Sequence, residues 1–381
     1  MILPGLRLRS VAALYFAYFA FVGAFSPYLA LWFAAEGMSI AQIGVLMALP
    51  QALRIVAPPC WGWLADRSGR HVQLLRFSAL ATVACALALS LAQGYPGFIV
   101  VMLLLFFATS AQGPLTEALA LGLVRGDPGR YGQVRLWGSV GFISAVASTG
   151  PWLDLVGIHR LPQWMAALAV LLLLVTLWIP AVAVAPAVRD TSRPRERWLK
   201  PAAIALLFAA FWMVFAHAAL YSFYSLHLER LGYSRTAIGV LWAVGVAAEI
   251  GLFLGQRRLF DHFAIPGLLV ASFVGAVLRF VLIAWAGADL GWLVLAQLMH
   301  ALTFGVHHSA SVAMLHRWFA NRSQAGAQAV YAVVAYGFGG TAGGLCAAWL
   351  WQAFGPAAMW WGASAASVLG LACALLVRRL A

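Results

Sequence analysis

The sequence predicts an all-α integral membrane protein with twelve transmembrane helices in two six-helix bundles. Hydrophobic residues occupy 64% of the 381 positions, charged residues only 9%, and the mean hydropathy is +0.90. A soluble domain carries roughly a quarter charged residues, so this chain could not cover itself in water. A membrane-spanning helix uses about 20 apolar residues, and twelve of them leave no room for a soluble domain. We therefore expect a multi-pass protein of the cell (inner) membrane.

Twelve hydrophobic stretches define the predicted helices 1 to 12. They lie at roughly 10–35, 40–65, 72–93, 96–123, 133–152, 162–184, 201–228, 235–255, 264–287, 290–316, 326–351 and 356–377. Turn-forming segments separate several of them, at 94–97, 126–129 and 354–356. The first stretch follows Arg7 and Arg9, as in a signal peptide. It is too long for a cleaved segment, so we assign it as helix 1.

Basic residues concentrate on one side of this topology. The termini and the even-numbered connections hold eighteen of the 24 Lys and Arg residues, namely Arg7, Arg9, Arg67, Arg70, Arg76, Arg125, Arg130, Arg189, Arg193, Arg195, Arg197, Lys200, Arg257, Arg258, Arg317, Arg322, Arg378 and Arg379. The odd-numbered connections hold only Arg160, Arg230 and Arg235. Cytoplasmic loops collect Lys and Arg, so both termini are predicted to be cytoplasmic. The net charge of +13 then reflects topology, and we expect no nucleic-acid partner.

The longest polar interval divides the chain into two halves. We predict an N-terminal bundle at 1–188, a cytoplasmic linker at 189–200 and a C-terminal bundle at 201–381. Residues 39–46 align with residues 234–241 at an offset of 195 positions, with the Ile-Gly-Val-Leu run identical. The same offset aligns Gly37 with Gly232, Asp66 with Asp261, and Arg54 with Glu249. Such duplicated halves are a known transporter architecture.

The connection between helices 2 and 3 carries a recognisable motif. It reads Gly62-Trp63-Leu64-Ala65-Asp66-Arg67-Ser68-Gly69-Arg70. This run resembles the G-x-L-a-D-r-x-G-r signature of the major facilitator superfamily, whose members are alternating-access transporters. Gly69 permits a tight turn, and Arg67 and Arg70 can pair with acids or helix ends nearby. The resemblance implies a gating role for Gly62, Asp66, Arg67, Gly69 and Arg70.

Other segments resemble one branch of that superfamily. They are Tyr131–Ser139, Gly245–Glu249, His300 in helix 10, and Tyr336–Gly340 in helix 11. The branch is the phenylpropionate-permease-like one, a relative of the lactose permease and nucleoside symporters. The resemblance implies proton-coupled symport of a small aromatic carboxylate, with the proton as coupling ion and no other cofactor.

Among the ionisable residues inside the predicted helices, we single out seven. They are Arg54, Glu117, Arg135, His217, Glu249, Arg279 and His300. Such residues are costly in a membrane and point to function. Glu117 and Arg135 reach similar depth on helices 4 and 5, which predicts an ion pair, either functional or a static pair that fixes packing.

The charged set resembles the lactose permease constellation. Glu117 and Arg135 match its sugar-binding pair, and Glu249, Arg279 and His300 match its acid, arginine and histidine on helices 8, 9 and 10. That permease has a further acid one turn after the histidine, where this chain has Thr303. We therefore expect Glu249 to carry a coupled proton, with Glu117 second and His300 as a further candidate, because burial and charged neighbours shift a carboxyl pKa.

The charge balance bears on the substrate. Three arginines face two glutamates in the membrane, and this surplus favours an anionic substrate held by Arg135, Arg279 or Arg54. Alternatively, one arginine snorkels or bonds backbone carbonyls. We expect Trp137 to stack on a substrate ring, and His217 and Tyr221 of helix 7 to line the site. His307 and His308 point to different helix faces, so they predict no metal site.

Other functions are less well supported by the sequence. A sugar, oligosaccharide or nucleoside symporter and an exporter of small organic molecules stay open. An intramembrane enzyme is disfavoured because HExxH, GxSxG and HxxxxD motifs are absent from the sequence. A channel is disfavoured because no filter-like loop is recognisable. The four cysteines lie in apolar stretches without a CxxC motif, so we expect neither disulfide nor metal. We expect a monomer in the lipid bilayer.

Overall fold

The computed structural model describes residues 4–124, 128–180, 200–319 and 324–380, and the regular elements within these ranges are helices. Helices 1 to 6 are Pro4–Phe25 with Leu29–Ala35, Ile40–Ser68, His71–Leu89, Gly94–Thr109 with Gln112–Val124, Pro128–Val156, and Leu161–Trp178. Helices 7 to 9 are Pro201–Arg230, Arg235–His262 and Ile265–Ala286. Helix 10 comprises Leu290–Leu298, Ala301–Val306 and His307–Trp318; helix 11 comprises Gln324–Ala332, Val333–Gly339 and Gly340–Phe354; helix 12 is Pro356–Leu380.

The predicted fold class is confirmed. Eleven of the described helical segments are long and apolar enough to cross a membrane. Helix 5 is also long enough, with 29 residues, but its glycines, serines and charged residues lower its hydropathy. The predicted end of helix 6 at 184 lies outside the described residues, as do positions 189–199 of the linker.

The duplication inferred from the sequence recurs in the backbone. Gly37 and Gly232 occupy equivalent turns with φ of +79° and +89°, a region that favours glycine. Ser39 Oγ and Ser234 Oγ each accept a hydrogen bond from the backbone N–H three residues later, at 3.3 and 3.2 Å. Both are N-terminal caps that satisfy an otherwise unpaired helix donor. Helices 2 and 8 thus begin in the same way.

By its contacts, the chain divides into two compact units. The first comprises Met1–Met38, Leu53–Val188 and Ser234–Val240. The second comprises Ser39–Ala52, Arg189–Tyr233 and Leu241–Ala381. The units therefore differ from the predicted halves, because the beginnings of helices 2 and 8 are exchanged.

Within each unit, the exchanged helix start is held by a side chain. In the first unit, the Asp154 carboxylate accepts hydrogen bonds from the backbone N–H groups of Arg235 and Thr236, at 3.1 and 2.9 Å. In the second unit, Gln352 Oε1 accepts from the Ala41 backbone N–H at 2.9 Å. Both contacts satisfy N–H groups that lack an intrahelical acceptor at a helix start.

Helices 1 and 5 approach closely in the first unit. A side chain added at Gly141 of helix 5 would overlap the backbone carbonyl of Phe16, and one added at Gly23 would lie 2.6 Å from the carbonyl oxygen of Phe142. Small residues at such crossings let helix backbones pack closely in membranes. This crossing places the start of helix 5 against the aromatic side chains of helix 1.

Helices 7 and 11 make a similar approach in the second unit. Gly339 and Gly343 lie one turn apart on helix 11, and an added side chain at either would overlap the backbone of Phe211 or Phe215. These small residues let the backbones of helices 7 and 11 pack closely. Helices 10 and 11 each contain a π-helical segment, Ala301–Val306 and Val333–Gly339. Such segments are frequent at functional sites.

The motif between helices 2 and 3 forms the tight turn that its sequence predicts. Gly69 has a φ of +64° and its N–H donates to the Ala65 carbonyl at 2.8 Å, which ends helix 2 in the usual glycine conformation. The Arg67 guanidinium lies 5.5 Å from the centre of the Trp63 ring. Gly62, Asp66 and Arg70 border the same turn, and among the described residues Asp66 pairs with no arginine. The motif's turn is observed, and its gating role stays a prediction.

Candidate functional site

The first cluster lies in the first unit and centres on Glu117. The Tyr15 hydroxyl donates to Glu117 Oε2 at 2.6 Å, and the Tyr131 hydroxyl donates to Glu117 Oε1 at 2.6 Å. These lengths are typical of charge-assisted O–H···O⁻ bonds. When ionised, Glu117 accepts both of these hydrogen bonds, one on each carboxylate oxygen.

Arg135 occupies the neighbouring position, and among the described residues it pairs with no carboxylate. Its guanidinium carbon lies 4.4 Å from the centre of the Phe19 ring and 5.4 Å from that of Tyr15, within the range of cation–π attraction. A side chain on Gly138 would come within 2.8 Å of Arg135 Nη1 and of the Phe19 ring. Gly138 thus makes the space in which the guanidinium lies against helix 1.

The expected Glu117–Arg135 ion pair is not formed in the described part of the chain. The two side chains meet different faces of the same tyrosine: Glu117 bonds the Tyr15 hydroxyl, and Arg135 lies over the ring. Helix depth predicted their proximity, but the direction of each side chain decides which group it bonds. The described contacts of the Arg135 guanidinium are with the faces of two aromatic rings. Its N–H groups can therefore donate to another acceptor.

The second cluster lies in the second unit around Arg279, whose side chain is fully buried. Arg279 Nη1 lies 2.9 Å from His300 Nδ1 and 3.1 Å from Thr303 Oγ1, and it also approaches His217 Nε2 at 3.4 Å. Nη2 donates to Gln297 Oε1 at 3.4 Å. All four acceptors are uncharged: two imidazole nitrogens, a hydroxyl oxygen and an amide oxygen. Arg279 is therefore a fixed cation solvated by polar side chains in place of water.

These contacts decide the histidine tautomers. A guanidinium can only donate, so His300 Nδ1 must accept and the ring proton lies on Nε2. Likewise, His217 Nδ1 lies 2.9 Å from the Met213 carbonyl oxygen, which can only accept, so Nδ1 carries the proton. His217 Nε2 is then the acceptor facing Thr303 Oγ1 at 3.2 Å. Both rings are neutral in this arrangement.

Glu249 lies at the edge of the second cluster. Its Oε2 is 4.0 Å from His300 Nε2, and its side chain is 20% exposed. The separation exceeds a direct hydrogen bond, so the Nε2 proton points toward a carboxylate that a small movement would reach. Gly305 of helix 10 faces Glu249: an added side chain would lie 3.4 Å from Glu249 Cγ. Glu249, His300 and Arg279 were grouped by their resemblance to the lactose permease constellation. In the structure, His300 lies between the other two side chains.

The other predicted residues are distributed around these clusters. Tyr221 packs its ring edge-on to His300, with centroids 6.3 Å apart, and stacks on Trp242. His217 is fully buried and bonded to Thr303, so it supports Arg279 and lies away from any open surface. Arg54 is exposed on helix 2.

Trp137 is not brought to Arg135 in the described structure. The ring is 50% exposed, and the described rings that the Arg135 guanidinium overlies are those of Tyr15 and Phe19. Residues two positions apart on a helix point about 200° apart, which explains the difference. The stacking of Trp137 on a substrate ring stays a prediction.

Four polar residues of the two clusters had no predicted site role: Tyr15, Tyr131, Gln297 and Thr303. Tyr131 lies four residues before Arg135 on helix 5, and Thr303 lies three after His300 on helix 10. These spacings place side chains on one helix face, so a search for polar neighbours of each buried charge would have found both. Gln297 lies three residues before His300 on helix 10 and could have been found in the same way, whereas Tyr15 comes from helix 1 and left no such signal.

Comparisons with known proteins agree with this architecture. A sequence model of the MFS_1 like family matches residues 8–361. The chain is 29% identical over 374 residues to the probable 3-phenylpropionic acid transporter of Escherichia coli (strain K12), covering 92% of this chain and 93% of that protein. It is 29% identical over 334 residues to the maltose permease of Geobacillus stearothermophilus, covering 85% and 83%.

A solved structure gives the fold independently. A crystal structure of a single-site variant of the nucleoside transporter NupG superposes with a TM-score of 0.86, covering 97% of this chain and 99% of that chain. The two sequences are 19% identical, so this similarity concerns the fold alone.

Proposed function

This chain belongs to the MFS_1 like family of major facilitator superfamily transporters, and we propose that it is a proton-coupled symporter of a small aromatic carboxylate that works by alternating access. Family and fold identify a membrane transporter of small molecules rather than an enzyme. The aromatic carboxylate and the coupled proton are the proposal's additions to that assignment.

The observation that carries the proposal is the state of Arg135. Its guanidinium lies against Phe19 and Tyr15, while the neighbouring carboxylate of Glu117 bonds two tyrosine hydroxyls. An arginine with available N–H donors can bind a carboxylate bidentately. The aromatic side chains beside it suit the ring of a phenylpropionate-like substrate. Arg279 is less suitable, because it is fully buried and its two Nη groups face four polar side chains.

Proton coupling is assigned to Glu249. It is the partly exposed carboxyl group of the Arg279 cluster, so a proton can reach it, and its neighbour His300 accepts from Arg279. A cation near a carboxylate favours the ionised form, whereas burial favours the protonated form. A conformational change that alters the contact between Glu249 and His300 would therefore take up or release a proton.

A sugar symporter is the second candidate. The maltose permease is as similar in sequence as the phenylpropionate relative, at 29% identity. In that case, the Glu117 carboxylate would accept hydrogen bonds from substrate hydroxyls in place of its tyrosine partners. The two candidates differ in the charge of the substrate, which an uptake experiment can resolve.

The proposal is tested in proteoliposomes with an inward proton gradient. We expect radiolabelled 3-phenylpropionate to accumulate, and a proton ionophore to abolish the accumulation. Arg135→Gln should reduce uptake by roughly two orders of magnitude, because the carboxylate loses a bidentate charged contact. Arg130→Gln, which removes an exposed arginine of the same helix, is the matched control and should keep most activity. Uptake of maltose or nucleosides without any carboxylate uptake would overturn the anion assignment.

A further inference from the structure

We propose that Tyr15 and Tyr131 are positioning residues that keep Glu117 away from Arg135 and so leave Arg135 available to an anion. The inference rests on the proposed function, because it explains how the same site selects a carboxylate over an uncharged substrate. Both tyrosines act through Glu117.

The first step is the occupancy of Glu117. Each of its two carboxylate oxygens accepts a 2.6 Å hydrogen bond from a different tyrosine. The two donors come from helices 1 and 5, so two different helices hold the carboxylate of helix 4. The Tyr15 side chain is 2% exposed, so its hydroxyl has no alternative in bulk water. Glu117 therefore keeps a fixed orientation toward the phenols.

The second step is the proximity of an opposite charge. Tyr15 contacts both groups at once, with its hydroxyl on Glu117 and its ring 5.4 Å from the Arg135 guanidinium carbon. Opposite charges this close attract strongly where water is scarce. Without the phenol hydroxyls, the Glu117 oxygens would lose these donors, and the Arg135 guanidinium beside the same tyrosine would be a charged replacement. An ion pair with Arg135 is then the expected outcome.

The third step is the effect on recognition. An Arg135 paired with Glu117 would have to break that pair before it could bind a substrate carboxylate. A Glu117–Arg135 pair has no net charge, so it attracts an anion less strongly than an unpaired arginine does. Such a pair is better suited to binding uncharged hydroxyl groups. The two phenols thus shift the selectivity of one Glu–Arg pair toward anions.

Arginine reactivity tests this step without any substrate. The purified full-length carrier is treated with phenylglyoxal, and the labelling rate of Arg135 is followed by mass spectrometry. We expect Tyr15→Phe/Tyr131→Phe to slow Arg135 labelling about tenfold, because an ion pair masks the guanidinium. Adding Glu117→Gln to this double variant should restore the wild-type rate, since an uncharged amide binds a guanidinium less strongly than a carboxylate does. A slow rate that Glu117→Gln does not restore, or an unchanged rate in the double variant, would overturn the inference.

Internal references exclude a general change in folding. Arg76 donates to the carbonyls of Thr176, Leu177 and Ile179, so its labelling should stay slow in every variant. Arg257, with a side chain 95% exposed, should stay fast. Tyr95→Phe, which removes a phenol hydroxyl outside the cluster, should leave Arg135 unchanged. Acceleration at Arg76 would reveal unfolding, and the single variants Tyr15→Phe and Tyr131→Phe would then be used, each with and without Glu117→Gln and with the same criteria.

Substrate binding provides the second readout. The double variant should bind 3-phenylpropionate about tenfold more weakly than wild type, and Glu117→Gln should again restore the affinity. If wild type binds no aromatic carboxylate while the labelling pattern is as expected, the proposed substrate is wrong and the role of the tyrosines stands. If wild type binds the carboxylate and the labelling pattern fails, the substrate stands and the tyrosines merely support packing.

Discussion

Arg279 shows how a buried charge can be tolerated at the scale of single residues. The guanidinium is fully buried, and its described acceptors are two imidazole nitrogens, a hydroxyl and an amide oxygen. Charge-assisted hydrogen bonds of this kind offset part of the cost of removing an ion from water. Because the guanidinium can only donate, it also fixes the His300 proton on Nε2. The cation therefore determines which hydrogen-bonding group faces Glu249.

Glu249→Gln tests the residue assigned to coupling. Glutamine keeps the shape and cannot bind or release a proton, so we expect proton-driven accumulation to fall at least about tenfold while substrate exchange continues. The measurement compares proton flux, followed with a pH-sensitive dye, against counterflow in the same proteoliposomes. Asp261→Asn on the same helix, 64% exposed, is the matched control and should leave both unchanged. Normal proton flux in Glu249→Gln would transfer the role to Glu117 or a histidine.

At the scale of elements, the crossing of helices 1 and 5 positions the first cluster. Gly141 lets helix 5 pass against the backbone of Phe16. The same crossing brings Arg135 over the ring of Phe19, three residues along helix 1. Since helices move as rigid units, a wider crossing would separate Arg135 from both rings. The geometry of the cluster thus depends on a glycine that touches none of its charged groups.

Gly141→Ala tests that dependence. The added methyl group would overlap the Phe16 carbonyl, and overpacking of this kind costs about 1–3 kcal/mol. We expect a lower melting temperature in detergent and weaker binding of 3-phenylpropionate. Gly132→Ala is the control on the same helix, where an added side chain meets nothing within 4 Å. It should be neutral or stabilise the helix by up to about 1 kcal/mol. Equal behaviour of the two variants would contradict the role of the crossing.

At the scale of the whole molecule, the sequence predicted the fold through signals that are local along the chain. Composition gave the twelve helices, and the offset between Gly37 and Gly232 gave a duplication whose turns recur in the backbone. The buried charges were identifiable because each is costly in a membrane. Their partners were not, because Glu117 is 102 positions from Tyr15 and the choice depends on side-chain direction. The exchange of the helix starts was equally hidden from local patterns.

That exchange gives related caps to helices 2 and 8. At the offset of 195, Ala41 corresponds to Thr236, and the N–H of each donates to a side chain distant in sequence, Gln352 and Asp154. The Asp154 contact is the more extensive, since the Thr236 hydroxyl also donates to the carboxylate at 2.6 Å. A carboxylate at a helix N-terminus is further favoured by the helix dipole. We therefore expect the start of helix 8 to be the more firmly held of the two.

Hydrogen–deuterium exchange measures each cap separately. In Asp154→Ala, the amides at 235 and 236 lose their acceptor, and a solvent-exposed hydrogen bond of about 0.5–1.5 kcal/mol predicts exchange roughly two- to tenfold faster there. The segment 39–46 should be unaffected. Gln352→Ala should speed exchange at Ala41, by a smaller factor because its acceptor is uncharged, and leave 234–241 unchanged. Equal acceleration of both segments in either variant would mean that the two helix starts open as one cooperative unit, and the separate caps would then be the wrong description.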